Sequence, residues 1–325
     1  MGAPARQPTC VVTGANGFLG RALSATAAAR GYRVKGAVRR AVSDLPNGVE
    51  AVVAGDLTLD SDWSHVLAGG DVIVHTAARV HVRSEPGTEA LAAFRRVNVD
   101  GTLRLARQAA CSGVRRFVFV SSIGVNGAET FESPFTASDP PAPHSPYAVS
   151  KLEAEVGLQG IARETGMEVV IIRPPLVYGP AAPGNFHTLL QYIYRGIPLP
   201  LGSIDNRRSL VAVDNLVDLM LTCLHHPAAA NQLLLVSDGD DLSTSDLLRR
   251  VAGVLGRPAR LLPVPAGALR AAARLAGQGE LAQRLCGSLQ VDITKTRQTL
   301  GWTPPMTVDQ ALSKSAQHFL AKLPQ

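Results

Sequence analysis

Aromatic side chains are scarce in this 325-residue chain, where Phe, Trp and Tyr together make up 5%. With Ala, Gly, Val and Leu plentiful instead, the composition suits helices packed closely on a parallel sheet better than an all-β sandwich. Cysteine is also sparse: Cys10, Cys111, Cys223 and Cys286 lie too far apart for a zinc motif and are too few for a disulfide scaffold. They are expected to be reduced core thiols. No run of five like charges exists, so the excess of 32 Lys and Arg over 26 Asp and Glu, a net +6, is scattered, which argues against a nucleic-acid tract. No stretch of about 18 apolar residues is present to span a bilayer, and no apolar run precedes the first strand-like segment at Met1 to Pro8. No integral membrane segment, no secretory leader and a cytoplasmic location are therefore expected. Methionines and histidines show no ligand spacing, so no metal is expected; His75 and His81 read as core or loop residues.

What is present is a folded-protein composition, 46% apolar and 18% charged. At roughly 150 residues per domain the length predicts two domains, or one with an appended lobe. Short apolar segments at 10–12, 32–38, 49–54, 71–76, 116–121 and 168–173 alternate with helical stretches, the longest spanning 90–111. That rhythm predicts βαβ units with right-handed crossovers: a doubly wound, Rossmann-type parallel α/β sheet over residues 1–173. Residues 134–146 are rich in Pro, Ser and Ala and read as a surface loop. Beyond Asn185 the rhythm loosens into helices at 187–195, 213–225, 243–255, 267–276 and 308–321, with only short apolar strands such as the one at 233–236. A smaller C-terminal substrate lobe, 174–325, with some segments returning to the sheet, is the expected arrangement.

Gly14, Gly17 and Gly20 follow the first strand and open the first helix. Glycines there let backbone N–H groups approach a pyrophosphate, and the helix amino terminus adds partial positive charge. An NAD-specific fold of this kind carries a carboxylate at the end of its second strand, where this chain reads Arg39-Arg40; two guanidiniums suit a 2′-phosphate, so NADP(H) is favoured over NAD(H). Asp56 and Leu57, after the third strand, are candidates to hold the adenine amine. Tyr147 and Lys151 lie four residues apart at the start of a helix and share one face. A phenol is a poor base at neutral pH, and a neighbouring ammonium is expected to lower its pKa. Ser122, just past a strand's carboxyl end, is placed to hydrogen-bond a substrate oxygen while Tyr147 moves its proton.

These residues carry a resemblance. Thr13-Gly14-Ala15-Asn16-Gly17-Phe18-Leu19-Gly20, Asn98-Val-Asp-Gly-Thr, Tyr147-Ala-Val-Ser-Lys151, Arg173 to Pro180, Arg208 to Asp214 and Leu300-Gly-Trp-Thr-Pro304 make the chain resemble an extended short-chain dehydrogenase/reductase of the nucleotide-sugar epimerase, dehydratase and reductase family, nearly end to end. The resemblance implies Tyr147 as general acid/base, Lys151 on the nicotinamide ribose, and Ser122 on the sugar C4 oxygen. It implies further cofactor contacts at Asn16, Phe18, Leu19, Ala77, Ala78, Asn98 and Pro174. Asn185, Phe186 and Arg208 become contacts of a nucleoside diphosphate sugar, and a homodimer is the family's habit.

Within that family a 4,6-dehydratase needs a second proton-transfer pair after the serine, and Ile123-Gly124-Val125-Asn126 offers none. The missing carboxylate before Arg39 tilts the reading to an NADPH-dependent reductase of a 4-keto-6-deoxy sugar nucleotide, with a UDP-sugar 4-epimerase as the alternative. Residues 198–209 resemble a subgroup from O-antigen and 2-acetamido-sugar synthesis, where both occur. A non-catalytic NADP-binding sensor is a third, remote reading, disfavoured by the intact Ser122, Tyr147 and Lys151 set. The helix at 267–276, with Arg270 and Arg274 beside Leu269 and Leu275, reads as packed on the small lobe, or as resting on a membrane surface if the substrate is lipid-linked.

Overall fold

The computed structural model describes residues 7–80 and 87–323; the reading of His81 lies outside them. Seven parallel strands form one sheet in the order β3-β2-β1-β4-β5-β6-β9. They are β1 (Thr9–Thr13), β2 (Arg33–Val38), β3 (Val49–Val53), β4 (Val72–His75), β5 (Arg116–Val120), β6 (Glu168–Arg173) and β9 (Leu233–Leu235). A separate parallel pair, β7 (Leu176–Tyr178) and β8 (Leu210–Ala212), lies beyond β6. The short apolar segment expected in the lobe is thus the sheet's seventh strand: Ile171 to Arg173 pair with Leu233 to Leu235. Three residues carried no alternation to reveal that partner, and only the returning chain supplies it.

The helices are α1 (Phe18–Ala29), α2 (Ser64–Leu67), α3 (Gly87–Phe94), α4 (Thr102–Cys111), α5 (Pro146–Thr165), α6 (Asn185–Tyr194), α7 (Val213–His225), α8 (Thr244–Val254), α9 (Ala266–Leu275), α10 (Gly279–Cys286), α11 (Thr294–Leu300) and α12 (Val308–Ala321). Successive strand residues point to opposite faces, and both faces are covered. Cys10, Val12, Val74, Val118 and Ile172 pack under α1 and α7. Val11, Ile73, Phe117, Phe119 and Ile171 pack under α4 and α5. A further core, with Tyr178, Phe186, Leu190, Leu248 and Leu312, joins α6, α8 and α12.

The continuous helix expected over 90–111 is interrupted by a π-helical segment, Arg95–Gly101. The wider turn carries Asn98, which is fully enclosed, and π segments recur where a helix must aim a functional side chain. Trp302, in the closing signature, is buried and donates to Asp218 of α7 at 2.8 Å, tying the C-terminal segment to the sheet's cover helix. Among the described residues, no helix is long and apolar enough to cross a membrane and no cluster of ligating side chains is built to hold a metal.

Candidate active site

The strand order reverses between β1 and β4, and all strands end on the same edge, where open α/β sheets bind ligands. Gly14 turns the chain there with φ +66°, and a Cβ on Gly20 would sit 2.1 Å from the Gly14 carbonyl oxygen. The turn closes this tightly only with glycine. Gly17 caps α1 without any side-chain hydrogen bond, so the first-turn N–H groups at Phe18, Leu19 and Gly20 remain for an anion. Asn16 is exposed at the tip of this turn, while Phe18 and Leu19 are half-buried against the core. That cradle fits a dinucleotide pyrophosphate.

Beside it, the loop after β4 is pinned twice. Thr13 Oγ1 accepts from the Ala77 N–H at 3.2 Å and lies 2.7 Å from His75 Nδ1, while His75 Nε2 lies 3.0 Å from Thr102 Oγ1. Burial, and then the charge of Lys151, push the His75 pKa down to about 3, so the ring is neutral. Asn98 accepts from the Arg79 N–H at 2.8 Å, donates to the Arg79 carbonyl at 3.0 Å and donates to Ser150 Oγ at 3.1 Å. One buried amide thereby joins the Ala77-Ala78 loop to α5.

Ser145 caps α5 from Oγ to the Ala148 N–H, and Pro146 occupies the first turn. Tyr147, Lys151 and Glu155 then fall at successive helical turns on one face. Tyr147 meets the Phe94 ring edge-on at 5.8 Å. Lys151 is 2% exposed, with its ammonium 3.9 Å from the centroid of the Phe119 ring. Without a cofactor, burial pushes Tyr147 up to about 12, the reverse of the lowering expected from Lys151. The same burial pushes Lys151 down to about 7, with Glu155 opposing the fall. Desolvation disfavours both charged forms, raising the phenol and lowering the ammonium.

Ser122 accepts the Gly124 N–H at 3.1 Å, which leaves its own proton to donate. Pro174 is buried, and its carbonyl accepts the Ile123 N–H at 2.9 Å, fixing the turn after the serine. Sequence reasoning missed the support beneath. Arg173 grips both Glu155 oxygens, at 2.9 and 2.5 Å, and donates to Asn126 at 2.8 Å, while Ser121 Oγ also donates to Glu155. The only available signal was a carboxylate two turns beyond Tyr147 on a face that must be buried.

The remaining candidates are spread along the cleft. Arg39 and Asp56 are both exposed and 3.8 Å apart, so a carboxylate does lie beside the end of β2, brought from the third crossover. Leu57 is buried against Gly101. Asn185 is exposed at the start of α6, whereas the Phe186 side chain lies in the lobe core, 5.4 Å from the Tyr178 ring. Arg208 donates to the Gly287 carbonyl at 3.0 Å. Burial lowers its pKa and the nearby Glu129 charge works the other way.

A glycine cradle at the switch point, facing a Ser, Tyr and Lys set on the same sheet edge, defines a Rossmann-type enzyme that works with a nicotinamide cofactor. The sequence profile of the NAD dependent epimerase/dehydratase family matches residues 10–235, and the chain belongs to that family. It is 46% identical over 313 residues to the UDP-glucose 4-epimerase of Vibrio cholerae, covering 95% of both chains. It is 29% identical to the UDP-glucose 4-epimerase of Mycolicibacterium smegmatis, over 96% of this chain and 98% of the other. The crystal structure of UDP-glucuronic acid 4-epimerase from Bacillus cereus in complex with NAD superposes with a TM-score of 0.77 at 20% identity, covering 96% of each chain.

Proposed function

We propose that the protein is a UDP-sugar 4-epimerase. The observation that carries this is the 46% identity, across nearly the whole of both chains, to an enzyme of that name. It displaces the reductase expected from the sequence, whose chief support was a cofactor preference. Arg39 is drawn towards Asp56, which weakens the case for a 2′-phosphate partner, and NAD is the cofactor we assign.

The cradle from Gly14 to Gly20, with Asn98, Ala77, Ala78 and Pro174 beside it, would hold that cofactor, which supplies reversible hydride exchange at C4. The chain's own residues move the proton. Tyr147 takes it from the C4 hydroxyl and returns it to the C4 oxygen; the inversion lies in the face of C4 to which the hydride would come back. Lys151, one turn on, holds positive charge against the phenolate, and Ser122 donates to the C4 oxygen throughout. Nothing in Ile123 to Asn126 removes a proton elsewhere on the sugar, which suits inversion without elimination. Arg208 is assigned to the diphosphate, whose charge a guanidinium meets at two oxygens, and Asn185 to the same ligand. Residues 174–325, less the segments that return to the sheet, form the substrate lobe.

The test is to incubate the purified protein with UDP-glucose or UDP-N-acetylglucosamine without added cofactor and follow C4 configuration by proton NMR. Inversion is the expected result. No inversion, together with NADPH oxidation on a 4-keto-6-deoxy sugar nucleotide, would return the assignment to the reductase.

A further inference from the structure

Helix α9 buries none of its ten residues. Ala266 and Leu269 pack against the lobe core, yet Ala268, Ala271, Ala272 and Leu275 share the opposite face and are all exposed. Leu275 is 92% exposed. The neighbouring α10, packed alongside α9, exposes Leu281 at 46%, and the loop after Ser122 exposes Phe131 at 85%. These parts form one unit: Glu129, two residues before Phe131, lies 3.6 Å from Arg270 and 3.5 Å from Gln283, and Arg270 also donates to the Cys286 carbonyl at 2.9 Å. A cavity of about 310 Å³ separates helices and loop, lined by Glu129, Arg270, Arg274 and Gln283 among others.

The charge is as lopsided as the apolar exposure. Residues 257–286 hold five arginines, Arg257, Arg260, Arg270, Arg274 and Arg284, against one carboxylate, Glu280, and no Lys or Asp. A water-facing helix is ordinarily polar on that side, and exposed apolar groups on a hairpin where five arginines outnumber Glu280 and the Glu129 and Glu132 of the Phe131 loop match the boundary of an anionic bilayer. Arginine stems lie along such a surface while their heads reach phosphates. A second copy fits worse, since a two-fold contact would set like charges against each other. Nucleic acid fits worse as well, because it asks for the arginines and not for the leucines.

We propose that the α9–α10 hairpin, with Phe131, is a docking surface for anionic phospholipid. The inference is independent of the reaction at C4. Docked in this way, the lobe that carries Arg208 would lie against the bilayer.

The experiment is flotation of the full-length protein with vesicles of phosphatidylcholine alone and of phosphatidylcholine with phosphatidylglycerol in equal parts, at 0.1 M salt. The wild type is expected to float with the anionic vesicles only. The pair Leu275→Asp with Leu281→Asp is expected to lower the partition at least tenfold, since one buried leucine is worth about that factor, and Arg274→Glu is expected to lower it as well. All variants should keep the wild-type turnover of a soluble UDP-sugar and the wild-type melting temperature. Failure of the wild type to float would overturn the proposal, as would flotation that the leucine variants leave unchanged, which marks adsorption by charge alone. Loss of a dimer in the leucine variants by light scattering would assign the face to a second copy instead.

Discussion

Replacing Lys151 by methionine removes a charge while keeping an unbranched stem against Phe119. The ammonium is buried, and its pKa falls from the usual 10.5 to about 7. Because the folded value lies below the unfolded one, the cost of burying the charge is felt in full below pH 7. It fades as pH rises towards 10.5, where both states are neutral. By linkage the cost is about 5 kcal/mol at pH 6 and about 2 kcal/mol at pH 9. A chain of this length unfolds with an entropy of about 0.7 kcal/mol/K. Lys151→Met should therefore raise the melting temperature of the cofactor-free protein by about 7 °C at pH 6 and by about 3 °C at pH 9, and should abolish the proposed C4 inversion. Differential scanning calorimetry at the two pH values, beside an activity assay, reads all three effects. A fall in melting temperature at pH 6, or a rise that does not shrink at pH 9, would refute the argument that desolvation of this ammonium is held in place for function.

Tyr147→Phe should cost at least about a hundredfold in turnover, with cofactor retained in the purified protein at the wild-type ratio; unchanged turnover would remove Tyr147 from its role. Glu155→Gln leaves the enclosed Arg173 guanidinium without its anion and should destabilise by about 3–5 kcal/mol in denaturant titration. Adding Arg173→Met to it should restore part of that loss, because no buried charge then remains unpaired. Gly20→Ala puts a methyl where the Gly14 carbonyl oxygen lies 2.1 Å away, so it should lower both the melting temperature and the fraction of protein purified with cofactor.

Much of the fold was legible because it is locally encoded. Strand β6 over Glu168–Arg173 and helices α7 and α12 match the expected ranges, since each carries its own apolar period and stop signal. The glycines before α1 and the Tyr147, Lys151 spacing were visible for the same reason, since both depend on residues about a turn apart in sequence. The π segment at Asn98 was invisible, because a one-residue widening of a helix changes no residue type. Strand β9 was visible as an apolar run but not as part of the sheet, because its partner β6 lies some sixty residues away.

Helix, turn and strand, the glycine turn at Gly14 to Gly20 and the shared face of Tyr147 and Lys151 on α5 thus follow from the amino-acid sequence by itself. Tertiary structure alone decided which charges meet: Arg173 with Glu155 under the site, and Asp56 with Arg39 at the end of β2. It also decided the sign at Tyr147, where a nearby ammonium predicted a lower pKa and burial imposed a higher one. The physical reason is common to these cases. Desolvation and long-range pairing depend on what the rest of the chain brings around a group, and one-dimensional spacing carries no record of that.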